Sequence, residues 1–126
     1  VLASADVAIF PNRCESGTNL VAMEAMASGL PTILSSNTGH LDLIKQGNCL
    51  RLSRMSPSQP FAHYSDVSGW MEPDIDEMVE ALEEIYVNRK EANQLAKVGH
   101  KSMQSFNWKK QINYLMDVID MEFFKS

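Results

Sequence analysis

Three short apolar runs, residues 7–10, 32–35 and 49–52, alternate with stretches that favour helix. The first such stretch, Leu20-Val21-Ala22-Met23-Glu24-Ala25-Met26-Ala27-Ser28, is dominated by Ala and Met, which are good helix formers. Thr18 or Asn19 suits its N-cap, Gly29 the position just past its end, and Pro31 opens the next strand. After the Asn37-Thr38-Gly39 loop, a short helix is expected over 40–45, and Gly47-Asn48 turns the chain into the third run. A strand–helix–strand–helix–strand order is that of right-handed crossovers on a parallel sheet. Apolar runs without alternation fit a sheet covered on both faces. The expectation is an α/β, three-layer, Rossmann-like half domain, its short parallel sheet of about three strands flanked by helices.

Residues 53–73 read differently. They are rich in Ser and carry Pro57, Pro60 and Pro73, which implies a long loop within the domain. C-terminal helices follow. Ile75, Met78, Val79, Leu82, Ile85 and Tyr86 recur at helical spacing, with a Glu-rich solvated face beside them. Further helices are expected over 88–105, with a weaker stripe through Leu95, Val98 and Met103, and over 108–124. Trp70 and Trp108 are expected to hold down the long loop and the last helix.

A net charge of −5 without a basic stripe argues against nucleic acid as a partner. Cys14 and Cys49 lie far apart and outside any CxxC pattern, so neither zinc nor a disulfide framework is indicated. No metal is expected. No run has the length and apolarity of a membrane span. The chain starts at Val1 and reads as a piece of something longer.

The stretch Cys14-Glu15-Ser16-Gly17-Thr18-Asn19-Leu20 through Glu24 raises the chemical question. Glu24 is the one charge on an otherwise apolar helix, and a carboxylate there needs a partner, a crevice or solvent. In an open parallel sheet the crevice lies at the carboxyl ends of the strands, and Glu15 follows such an end. Gly17 permits close backbone approach, and amides from Gly17 to Leu20 would sit at a helix N-terminus that favours phosphate. Carboxylates for hydroxyls and amides for phosphate suit a sugar nucleotide. A plain solvated Glu24 fits the spacing equally well.

The segment ADVAIFPNRCESGTNLVAMEAMASGLPTILSSNTGHLDLI resembles the family-4 glycosyltransferases, retaining enzymes of GT-B architecture. The block Glu24-Ala25-Met26-Ala27-Ser28-Gly29-Leu30-Pro31-Thr32-Ile33 carries the resemblance, which extends weakly to the chain's end. It implies that residues 1–126 are the latter part of a C-terminal nucleotide-sugar-binding domain. The full enzyme would transfer a hexose from a UDP- or GDP-sugar to an acceptor hydroxyl with retention. It would need no cofactor or metal, and this chain alone would be inactive. Glu15, the catalytic candidate, would contact donor-sugar hydroxyls, and Glu24 the ribose. Ser16, Gly17, Thr18, Asn19 and Leu20 would touch sugar and phosphate, and Gly39 would lie near the nucleotide. His40 beside it is a candidate for phosphate or sugar contact, and a loop histidine with no ligand role fits equally well. The acceptor would bind through a domain outside this sequence. The two unpaired cysteines are read as reduced thiols of a cytoplasmic protein, with peripheral membrane association through that outside domain left open.

The sequence also departs from the family pattern. Eight residues separate Glu15 from Glu24 where seven are usual, and His40 stands where a second glycine is common. The family's diphosphate-binding Arg and Lys belong to an earlier segment, and a solvated role is expected for Arg13 and Lys45. Two other readings remain. One is a stand-alone nucleotide-sugar-binding module that self-associates through an exposed sheet edge. The other is a sugar-nucleotide epimerase of the same architecture.

Overall fold

The computed structural model describes residues 2–123. Val1 and residues 124–126, with the last residue of the helix expected over 108–124, lie outside them.

Three strands, β1 (Ala8–Phe10), β2 (Thr32–Ser35) and β3 (Leu50–Leu52), form a parallel sheet in the order β1-β2-β3. Ile9 sits opposite Ile33, and Ile33 opposite Leu50. All of β2 is buried. Because side chains alternate along a strand, the sheet feeds two cores. Phe10 and Leu34 join Ala22, Met26, Leu43, Cys49 and Met103 on one face. Ile9, Ile33, Leu50 and Leu52 join Ala81, Ile85 and Ala92 on the other. The expected three-layer α/β half domain is the one observed.

Helix α1 (Leu20–Ala27) packs on β1, β2 and the later helix α3 (Arg89–Met103). Its termini are chemically closed. The Asn19 side chain accepts from the Ala22 N–H at 3.1 Å. At the other end Gly29 takes φ +76°, the Gly29 N–H bonds Met26 O at 3.0 Å, and the Leu30 N–H bonds Ala25 O at 3.1 Å. That pair is a Schellman closure, and the left-handed residue it needs is the glycine. Helix α3 contributes Ala92 to one core and Met103 to the other, so it spans both layers. Its buried face is Ala92, Ala96, Gly99 and Met103, with Leu95 and Val98 half-buried. Small residues bring the helix close: a Cβ on Gly99 would lie 2.8 Å from Asn48 O.

Four expectations change. The stretch 40–45 is a tighter 3-10 turn, Thr38–Asp42, closed by Leu43 N–H on His40 O at 2.9 Å. The ends of the 53–73 segment pair as a two-stranded antiparallel sheet, β4 (Met55–Pro57) with β5 (Met71–Pro73), leaving a loop between them. Helix α2 (Ile75–Val87) buries Ala81 and Ile85, while Ile75, Val79, Leu82 and Tyr86 form a separate exposed stripe. Helix α4 (Trp108–Phe123) begins with a Trp108 that is 83% exposed and holds nothing down. Trp70 does pack, its ring 5.5 Å from Tyr64 and 6.1 Å from Phe61.

Candidate functional site

Strands β1 and β2 are parallel, so their carboxyl ends lie on one edge of the sheet. The chain leaves β1 into the turn 11–19 and leaves β2 into the turn 36–43, and these two turns are bonded to each other. The Glu15 N–H donates to Thr38 Oγ1 at 2.7 Å, and the Gly39 N–H donates to Glu15 O at 3.1 Å. Asn37 Nδ2 donates to Arg13 O at 2.7 Å and Asn12 O at 3.1 Å. Ser35 Oγ donates to Asn12 O at 2.8 Å. Five backbone groups of the two turns, two N–H and three C=O, are satisfied by these bonds.

Two backbone features mark the junction. Thr38 adopts φ +38°, an uncommon conformation for a β-branched residue, and this sets its hydroxyl on the Glu15 amide. Gly39 faces the other turn so closely that a Cβ there would overlap the carbonyl of Gly17 and lie 2.9 Å from Glu15 O. Only a residue without a side chain permits that approach.

Glu15 is half-buried, and its carboxylate accepts from Asn12 Nδ2 at 2.9 Å. Glu24 is exposed, on the same face of α1 as the exposed Leu20 four residues earlier. Helix geometry leaves the N–H groups of Leu20 and Val21 without intrahelical acceptors. Ser16 and Gly17 are exposed, and Thr18 is half-buried with its Oγ1 3.4 Å from Met23 Sδ. Glu15 and Glu24 thus flank the turn and the start of α1 in sequence, Glu15 half-buried and Glu24 exposed.

His40 is different. It is fully buried, with Nδ1 3.1 Å from Ser35 O and 3.0 Å from Ser35 Oγ, and Nε2 2.9 Å from Asn19 Nδ2. It lies beneath the turn, and both ring nitrogens are engaged within the chain. Burial pushes its pKa below the ordinary histidine value, against the hydrogen bond to Ser35 O and the nearby Glu15 charge.

A separate cleft of about 720 Å³ is lined by Arg54, Met55, Ser56, Glu72, Pro73, Asp74, Ile75 and Asp76. Its Arg54 is already bound by Glu80 at 2.9 Å and Asp74 at 3.3 Å, and the carboxylates of Glu72, Asp74 and Asp76 disfavour an anion there. The carboxyl edge is the better-built site.

Residues 1–115 match the family described as Family 4 Glycosyltransferase in conflict systems. The chain belongs to this glycosyltransferase family. The fold agrees. A sucrose-phosphate synthase from Thermosynechococcus elongatus superposes with a TM-score of 0.66 at 24% identity, covering 99% of this chain. The chain spans 27% of the length of that structure. A search of curated protein sequences found no match. Within the glycosyltransferase domain, Ser16 to Asn19 form the turn between Glu15 and α1, Gly39 abuts that turn, and His40 underlies it. Asn12, Asn37 and Thr38 were missed, although the Asn-Thr-Gly run is typical of a tight turn with side chains free to cap neighbouring amides. Arg13 is exposed, as expected, and in addition pairs with Glu72, to which no local signal points.

Proposed function

We propose that this domain binds the nucleotide-sugar donor of a retaining hexosyltransferase. One observation carries the reading: the Glu15 turn is clasped to Thr38 and Gly39 at the carboxyl edge of a parallel sheet, where ligands of such sheets bind. In this reading Glu15 accepts from donor-sugar hydroxyls and Glu24 from the ribose. The amides at the start of α1 face the diphosphate, with Gly39 and the turn over His40 on the nucleotide side. The acceptor oxygen forms a bond to the anomeric carbon as the carbon–phosphate-oxygen bond breaks, and the acceptor's proton leaves with the diphosphate or to solvent. Helix N–H groups and cationic side chains stabilise the developing phosphate charge without a metal. The acceptor, a glycan or other hydroxyl compound, binds through a part of the protein outside this sequence, and the reading places the reaction in the cytoplasm. Among the described residues, no helix is long and apolar enough to cross a membrane.

Calorimetry with UDP, GDP and their sugars tests the assignment. Glu24→Ala should weaken free nucleotide and nucleotide sugar alike. Glu15→Ala should weaken only the sugar-bearing ligand. Equal losses for free nucleotide would overturn it.

A second reading, self-association, is favoured by two observations. Strand β1 ends the described sheet, and α4 exposes Ile112, Leu115, Met116 and Met121. Light scattering over a concentration series tests it, and a constant monomer mass counts against it.

A further inference from the structure

We propose that His40 is a positioning residue for the donor turn, holding Asn19 in the left-handed conformation from which it caps α1. The inference rests on the donor-binding reading for its functional consequence, but not for its geometry.

Asn19 takes φ 59° and ψ 84°. Asn tolerates this region better than most residues, but the conformation still needs support from its surroundings. Both ends of the side-chain amide are used. Oδ1 accepts from the Ala22 N–H at 3.1 Å, and Nδ2 lies 2.9 Å from His40 Nε2. The orientation is self-consistent, since reversing the amide would set its NH2 against the Ala22 N–H.

The partners then determine the protonation of the ring. Ser35 O can only accept, so Nδ1 carries the hydrogen. An amide NH2 can only donate, so Nε2 offers its lone pair. Ser35 Oγ, 3.0 Å from Nδ1, is itself a donor to Asn12 O. A continuous relay results: the carbonyl at the end of β2, the neutral imidazole, the Asn19 amide, and the first free turn of α1. Glu15 is the charged group acting on the ring. The other groups bonded to it, from β2 and from the 11–19 turn, are the neutral Ser35 and Asn19. Depression of the His40 pKa by burial agrees with a ring that stays neutral.

The function of the relay is to aim amides. Asn19 is the last residue of the turn and the cap of α1, so its conformation sets where the N–H groups of Leu20 and Val21 point. No ligand need touch His40 for its loss to be felt.

The test uses the domain itself. Nitrogen NMR at pH 7.5 should show the neutral ring protonated at Nδ1, and the opposite tautomer would overturn the proposal. Glutamine can place Oε1 where Nε2 stood, whereas asparagine reaches Ser35 but not Asn19. His40→Gln should therefore keep UDP or GDP affinity within about twofold, and His40→Asn should lose about tenfold. Equal behaviour of the two variants would overturn it. Asn19→Asp keeps the cap but favours a doubly protonated ring, and should raise the His40 pKa by about a unit. An unshifted pKa would overturn the relay even if the His40 variants failed to fold. If wild-type protein binds neither nucleotide, the donor-binding reading falls, while the tautomer and the Asn19→Asp shift still decide the relay.

Discussion

Arg13 and Glu72, 59 residues apart in the chain, meet through both prongs of the guanidinium, Nε on Oε2 and Nη2 on Oε1. The same guanidinium lies 4.7 Å over the Phe61 ring, and the Arg13 carbonyl accepts the Met71 N–H at 3.0 Å. The β4–β5 hairpin is thus fastened to the turn that carries Glu15, two residues beyond Arg13. The pair is exposed, so its effect belongs to local order more than to global stability.

Arg13→Ala should accordingly leave the global unfolding midpoint nearly unchanged while amide exchange at Met71 and Ser58 quickens. Unaltered exchange at both positions would show that β4–β5 holds without the arginine. Raising the salt concentration in wild type should move exchange the same way, more weakly.

Gly39 and Gly17 face each other, yet only one is sterically required. A side chain on Gly39 meets backbone on the opposing turn, whereas one on Gly17 meets nothing within 4 Å. Gly39→Ala should cost about 1–3 kcal/mol, the range for an overpacked site. Gly17→Ala should change stability by less than about 0.5 kcal/mol. Urea denaturation of the two variants makes the comparison, and a reversed order would refute the packing described.

His40 gives the domain a pH dependence of known sign. In the unfolded chain the imidazole titrates near about 6.5, and in the fold burial lowers that value. Below the unfolded pKa, the unfolded state binds the proton and the native state resists it. Stability should therefore be full above about pH 6.5 and fall as the pH drops through it. Denaturation of wild type and His40→Gln from pH 8 to 5 should show the wild-type slope reduced in the variant. Parallel curves would assign the slope to other groups.

Cys49 is buried in the core beneath α1, where desolvation pushes its thiol up to about 11. Cys14 is half-buried in the surface turn. A thiol reagent at pH 8 should modify one cysteine quickly, and the second only at the rate of unfolding. Rapid modification of both would contradict the core placement.

The sheet and the first helix were legible because their signals are local. Gly29, Pro31 and the apolar runs specify turns and buried strands within a few residues of themselves. The β4–β5 pairing was hidden because Met55 and Pro73 sit opposite each other only through a long intervening loop. His40 was placed in the right neighbourhood but in the wrong layer. A loop histidine reads the same whether it points at ligand or inward, and its two partners, Ser35 and Asn19, come from different elements. The α2 stripe misled because spacing shows which residues share a face, not what covers that face.

The strands of the parallel sheet are three or four residues long. A sheet this small cannot by itself hold the turns at its edge rigid, so the cross-turn bonds among Asn12, Glu15, Asn37, Thr38 and Gly39 do so instead. In the proposed donor-binding reading, recognition and architecture share the same atoms. Divergence toward a new donor would then not proceed by freely rewriting this edge, because substitutions that reshape the turn also loosen the scaffold. New specificity is more accessible from the exposed positions Ser16, Leu20 and Val21, which the clasp leaves free to vary.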